Sequence, residues 1–223
     1  MENPWVKLSS DGPEYVLDDD KECICHHNAS ASFLTRFEPE SIPEPFIGNP
    51  ATARVAFLGK NPGHREGAEE EYKRNKELCA AMFSNLRHDL ADYPFYPLNP
   101  DFARTGAGEW WSKRTAQLQE ALDGDLRKLS ERMMVIEWFP YHSMRFRVPK
   151  IDCPSQQYSF QLVQDLFDRD VLVVGMRAAN LWARFDGVRS LGLRYLKNPQ
   201  CGHISRGNTD GKLFDEIVSS LKR

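Results

Sequence analysis

The chain is short of several things that would assign it quickly. Among its 223 residues no apolar run approaches the roughly 18 that a membrane span needs. The opening stretch, MENPWVKLSSDGPEYVLDDDKE, has no basic leader and no apolar segment, so no signal peptide is expected. Neither G-x-x-x-x-G-K-[ST] nor G-x-G-x-x-G occurs, which argues against phosphate-loop and dinucleotide enzymes. There is no internal repeat and no low-complexity tract. Cysteines are few and irregular, at 23, 25, 79, 153 and 201. An odd number without a repeating spacing suggests reduced thiols in a cytosolic protein. Positive charge is not in excess either. Lys plus Arg number 29 against 32 Asp plus Glu, a net charge of −3. That total argues against a strongly basic nucleic-acid protein.

The charge that is present is unevenly placed. Residues 1–100 carry 10 basic and 17 acidic side chains, a balance of −7. Residues 101–223 carry 19 and 15, a balance of +4. Arg145, Arg147, Arg194, Lys197 and Arg206 fall near strand ends and turns. A local basic face and an ordinary mixed surface both fit this distribution. With 41% hydrophobic residues the chain suits one globular domain with an appended segment. Residues 1–50 are rich in Pro, Asp, Glu and Ser and show little periodicity. They are expected to form an N-terminal extension on a domain spanning 51–223.

Within that domain, apolar runs and helical spacings alternate. Strands are predicted at 54–59, 132–139, 171–175 and 193–197. Helices are predicted at 67–90, where Tyr72, Leu78, Met82 and Leu86 share a face, and at 109–122, 155–168, 176–185 and 209–221. Ser155 is a suitable cap for the third of these, and Asn208 or Thr209 for the last. Such alternation implies an α/β fold, with a central four-stranded parallel sheet in a three-layer α/β/α arrangement. Ligands then bind beyond the carboxyl ends of the strands. Three of these ends carry polar groups: Lys60, Asn61, Pro62, Gly63 and His64; then Glu137, Trp138, Pro140, Tyr141 and His142; then Asn198, Pro199, Gln200 and His203. Their convergence on one rim is the main residue-level indication of a site.

These strand ends resemble motifs of the uracil-DNA glycosylase superfamily over roughly residues 43–221. The family's first motif, a strand followed by G-x-[ND]-P-[GY], is matched by Gly59-Lys60-Asn61-Pro62-Gly63. Its second, [HN]-P-S-x-x after the last strand, is approached by Asn198-Pro199-Gln200-Cys201-Gly202-His203-Ile204-Ser205. VIEWFP (135–140) lies where the family carries its base-reading residue, and VLVVGMRAANLW (171–182) is similar to its strand–Gly–helix segment. In outline the chain is nearest the mismatch-specific and single-strand-selective branches, which also use N-P-G.

The resemblance implies a monofunctional DNA glycosylase with a uracil-glycosylase-like fold; no cofactor is expected, and the scattered cysteines do not match the iron–sulfur pattern of some branches, so no metal is expected either. It would act as a cytoplasmic monomer on DNA. Such an enzyme flips a base from the stack and directs water at the sugar. By position, Asn61 would orient the water, with Asn198 and His203 stabilising the departing base and the sugar. Lys60, Pro62 and His64 would contact the base, partly through backbone N–H groups. Gly63 stands where strict uracil enzymes carry a Tyr that blocks 5-substituents, so space is expected there. A plain turn glycine reads the same way in sequence. Glu137 takes the base-reading place of an Asn. An ionised carboxylate only accepts, which suits the amino group of cytosine; a structural Glu–Arg pair is the other reading. Phe95 or Tyr96 would stack on the base. Arg145, Ser205 and Arg206 would contact phosphates, and Ile204 or His203 would fill the gap in the helix.

The favoured substrate is a 5-modified cytosine, hydroxymethylated or glucosylated, as in defence against phages with modified DNA. A uracil repair enzyme and a non-catalytic nucleic-acid-binding module are the alternatives. Cys23-Ile24-Cys25-His26-His27 invites a zinc reading, but adjacent residues rarely close a tetrahedron, so packing or exposed thiols are expected there.

Overall fold

The computed structural model describes residues 1–64, 67, 71, 74–89, 91–189 and 192–223. Five strands form one mixed sheet: β1 (Phe46–Ile47), β2 (Val55–Leu58), β3 (Met133–Ile136), β4 (Leu172–Gly175) and β5 (Arg194–Tyr195), in the order β1-β3-β2-β4-β5. The last four run parallel, and β1 pairs antiparallel with β3 at the edge. Central β2 is apolar at every position and fully buried. That continuous pattern is what a strand covered on both faces requires. The register sets Leu58 beside Ile136 and Gly175. Gly59, Glu137 and Met176 therefore leave the sheet at the same edge.

The helices are α1 (Lys21–Asn28), α2 (Lys76–Arg87), α3 (Gly106–Ala121), α4 (Leu126–Arg132), α5 (Gln156–Asp168), α6 (Ala179–Trp182), α7 (Asp186–Arg189) and α8 (Gly211–Lys222). Caps fix most of their starts. Asn75, Thr105, Asp125 and Asp210 each accept a backbone N–H of the first turn. Helix α5 packs on β4, α8 on β2, and α4 on β3.

The sheet departs from the sequence expectation of four parallel strands. The fifth, β1, lies in the Pro-rich segment 1–50, and two residues carry no readable period. That segment also supplies Trp5, Leu17, Ile24, Phe37 and Ile42 to the common core. Helix α4 was not foreseen. The predicted helix 176–185 is divided, because Ala178 adopts a left-handed φ of 55° before α6 begins. Helix α3 starts earlier than predicted because Thr105 caps it, and α8 is capped by Asp210 rather than Asn208 or Thr209. Of the predicted helix 67–90, Tyr72 and several neighbours lie outside the described residues.

The thiol expectation is corrected at two positions. Cys23 of α1 and Cys153 are joined in a disulfide, with their Cα atoms 5.5 Å apart across 130 residues of sequence. Cys23 is thus bound to sulfur rather than merely packed, and His27 stacks on Phe37 with ring centroids 4.2 Å apart. Among the described residues no helix is long and apolar enough to cross a membrane.

Candidate active site

A cavity of about 460 Å³ opens where β2, β3 and β4 end. Its floor is the turn after β2. The Glu137 carboxyl, leaving β3, lies directly over Gly59: a Cβ at that glycine would sit 2.1 Å from Oε2. Glycine is needed at the strand end because a carboxyl group occupies the space of a side chain.

Glu137 is the most perturbed group in the cavity wall. Oε2 is buried and has no hydrogen-bond partner among the described residues. Burial pushes the carboxyl up to about 8. The Arg177 guanidinium, the Lys60 backbone N–H and the Lys60 ammonium oppose the rise, and Glu44 adds to it. At neutral pH the group is therefore mainly a neutral acid, with one donor and one acceptor. Of the two forms a glutamate can take at this position, a carboxylate that only accepts and an acid that also donates to N3, burial favours the second. No Arg pairs with it closely enough for a salt bridge among the described residues.

Asn61 is held from behind. Its Nδ2 donates to the Ser143 hydroxyl (3.0 Å) and to the carbonyls of Pro62 (2.9 Å) and Tyr141 (3.3 Å). Two of those partners are obligate acceptors, so the amide orientation is fixed. Its Oδ1 makes no hydrogen bond among the described residues and is left to accept at the cavity, which Asn61 lines. Gly63 does not adopt positive φ, and a Cβ there would meet nothing within 4 Å. Conformational need therefore does not account for this glycine, whereas open space beside the cavity does. His142 locks the turn. Its Nδ1 lies 2.9 Å from the Gly63 carbonyl and its Nε2 2.9 Å from the Ile42 carbonyl.

The remaining walls come from elsewhere in the chain. Glu44 bonds the Tyr96 hydroxyl, and Tyr96 lines the cavity. Helix α3 contributes Trp110 and, one turn on, Arg114. The turn after β4 contributes Arg177. The Arg114 guanidinium lies 4.3 Å and the Arg177 guanidinium 5.6 Å from the centre of the Trp110 ring.

The structure gathers Asn61, Pro62, Gly63, His64, Tyr96 and Glu137 around this one space. Other predicted residues lie outside it. Phe95 is fully buried and packs edge-on against Trp111, so the ring that faces the cavity is that of Tyr96. The Lys60 side chain lies near the Phe146 ring, 5.9 Å from its centroid. Burial and Arg177 lower its pKa. Asn198 closes its own turn, with Oδ1 accepting from the Gln200 N–H at 3.0 Å. His203 is exposed and outside the cavity wall. Ile204 is fully buried, so as placed it is not available as a wedge. The Ser205 hydroxyl accepts from Asn208. Arg206 pairs with Asp215 and lies over Phe214. Arg145 is exposed, its backbone N–H bonded to Leu34.

Four contributors escaped the sequence reading. Arg177 stands two residues past the VLVVG strand, and the strand-end rule applied there would have found it. Trp110 and Arg114 stand one helical turn apart, a spacing visible in the sequence. Glu44 had no signal, since it lies in an aperiodic segment. No protein-family profile, curated protein or solved structure matches this chain.

Proposed function

We propose that the protein is a DNA glycosylase of the uracil-DNA glycosylase superfamily, with helices layered on both faces of its sheet in that family's manner. It hydrolyses the N-glycosidic bond of a flipped-out modified pyrimidine, favoured as a 5-modified cytosine. Defence against DNA with modified bases is the fitting role. The observation that carries the reading is Asn61. Its amide N–H groups are committed to Tyr141, Pro62 and Ser143, which leaves Oδ1 to accept from a water in a cavity also lined by Glu137 and Gly63. An amide orients water but is a weak base, so the chemistry is expected to be slow. Room beside Gly63 accommodates a substituent at C5. Tyr96, which lines the cavity, offers a ring to a base.

Glu137 also supports a second substrate, a uracil-type base. As a neutral acid it can accept from the cytosine amino group and donate to N3, or accept from the uracil N3–H and donate to O4. Above about pH 8 the ionised group only accepts. Each base then keeps one bond, cytosine from its amino group and uracil from N3–H, and each sets one acceptor, N3 or O4, against a carboxylate oxygen.

The test is an oligonucleotide panel carrying uracil, cytosine and 5-modified cytosines, scored for abasic sites. Excision that falls at least about tenfold in Asn61→Ala is the expected result, equivalent to about 1.4 kcal/mol of barrier. Excision of both base types should fall together above pH 8, as Glu137 loses the proton it donates. No excision of any base favours the binding-module alternative, and undiminished activity in Asn61→Ala removes that residue from the mechanism.

A further inference from the structure

Two arginines at the cavity wall are unusual in what they lack. Arg114 makes no side-chain hydrogen bond and no ion pair among the described residues, and its Nε is buried. Among the described residues Arg177 makes a single side-chain bond, from an Nη to the Gln200 carbonyl at 3.1 Å, and its buried Nε has no partner. Both guanidiniums face the same Trp110 ring. Two like charges thus share one aromatic ring with unspent donors. Burial and the Arg177 charge both lower the pKa of Arg114. Four carboxyls line the cavity, Glu44, Glu71, Glu109 and Glu137; Glu44 bonds Tyr96 and Glu71 accepts from the Gly106 N–H, and among the described residues none of the four forms a salt bridge with Arg114 or Arg177. A buried donor without an acceptor is destabilising, because it has given up water for nothing. An arrangement of this kind is relieved by an anion that takes several N–H groups at once.

The position indicates which anion. The Arg114 carbonyl accepts from the Ile204 N–H at 2.9 Å, and Arg177 reaches the Gln200 carbonyl. The pair therefore bridges the base cavity and the loop after β5. A nucleotide whose base enters beside Gly63 would carry its phosphate toward this bridge. Guanidinium forks match phosphate oxygens in pairs, which ammonium groups do not.

We propose that Arg114 and Arg177, backed by Trp110, form a phosphate-binding subsite that holds the backbone of the strand whose base occupies the cavity. The proposal rests on the nucleic-acid reading above, but not on base excision.

The test measures binding without chemistry. Anisotropy of a short fluorescent oligothymidylate is followed against salt for the wild type, Arg114→Gln, Arg177→Gln and Arg127→Gln. Arg114→Gln and Arg177→Gln should each bind about tenfold more weakly, with the salt slope reduced by about one. Arg127→Gln, whose arginine lies in α4 outside the cavity wall and pairs with Asp92, should bind like the wild type. The Arg114 side chain makes no hydrogen bond or ion pair among the described residues, so its variant should melt with the wild type; Arg177→Gln is interpreted only with its own melting curve. Thymidine 5′-monophosphate competing as well as the strand supports the site and assigns its phosphate to a free nucleotide. Wild-type affinity and slope in Arg114→Gln overturn the proposal, as does an equal loss in Arg127→Gln. Failure of every base in the excision panel leaves this result standing, and unchanged binding leaves the excision result standing.

Discussion

Glu137 shows how one residue couples stability to chemistry. Its carboxyl titrates near 8 when folded, against an ordinary 4.5 when exposed. Between those values the folded protein holds a proton that the unfolded chain has released. The contribution of Glu137 to stability is therefore fully present below about 4.5, falls as pH rises, and is lost above about 8. The swing is on the order of a few kcal/mol. Glu137→Gln keeps the shape without the proton. Its melting temperature should fall less than the wild type's between pH 5 and 9, and the two curves should diverge most above pH 8. Parallel curves would mean that the carboxyl does not titrate where its burial places it. The sequence marked Glu137 as important through its position after a strand. It could not give the charge state, because that depends on how deeply Oε2 sits over Gly59.

At the scale of elements, the parallel strands and their carboxyl ends were legible because four apolar runs alternate with helical spacings. The turn GKNPGH was legible as a site for the same reason: polar groups follow a buried strand. What stayed hidden comes from elements without a period. The segment before β2 supplies β1, Glu44 and the Ile42 carbonyl that holds His142. Asp20, just before α1, is fully buried; it accepts from the Tyr141 hydroxyl (2.7 Å) and the Ser155 N–H (3.0 Å). Burial and the Asp20 charge hold the Tyr141 phenol well above its usual range. The Tyr141 carbonyl in turn fixes Asn61. A residue 41 positions upstream thus braces the amide proposed to orient water. Asp20→Ala leaves the phenol and the Ser155 N–H without their acceptor, a loss of about 1–3 kcal/mol. For a chain of this length that is a melting-temperature drop of about 2–4 °C per kcal/mol. Any excision activity should fall with it at temperatures where the variant is still folded. Unchanged melting would show that water serves Tyr141 equally well.

At the scale of the molecule, the N-terminal 50 residues and the α/β domain share one core, and the Cys23–Cys153 bond ties them. Cysteine number and spacing could not reveal this pair, since the two thiols meet only once the chain is folded. Disulfides are rare in the cytosol, so the bond pulls against the cytoplasmic expectation drawn from the odd count. Its contribution follows from the length of chain it closes. In the chain-entropy account a loop of this size is worth about 2–5 kcal/mol. Thiol titration of the denatured, unreduced protein should therefore find Cys25, Cys79 and Cys201 but not the other two. Reductant should lower the melting temperature of the wild type, and leave Cys23→Ser, already lowered, where it is. Five titrating thiols, or a wild type indifferent to reductant, would remove the cross-link from the energetics and leave packing of Trp5, Phe37 and Ile42 to hold the extension. Because α1 begins beside Asp20, loosening the bond should also weaken the brace on Asn61, so reduction is expected to slow excision more than it slows binding of the oligothymidylate at Arg114 and Arg177.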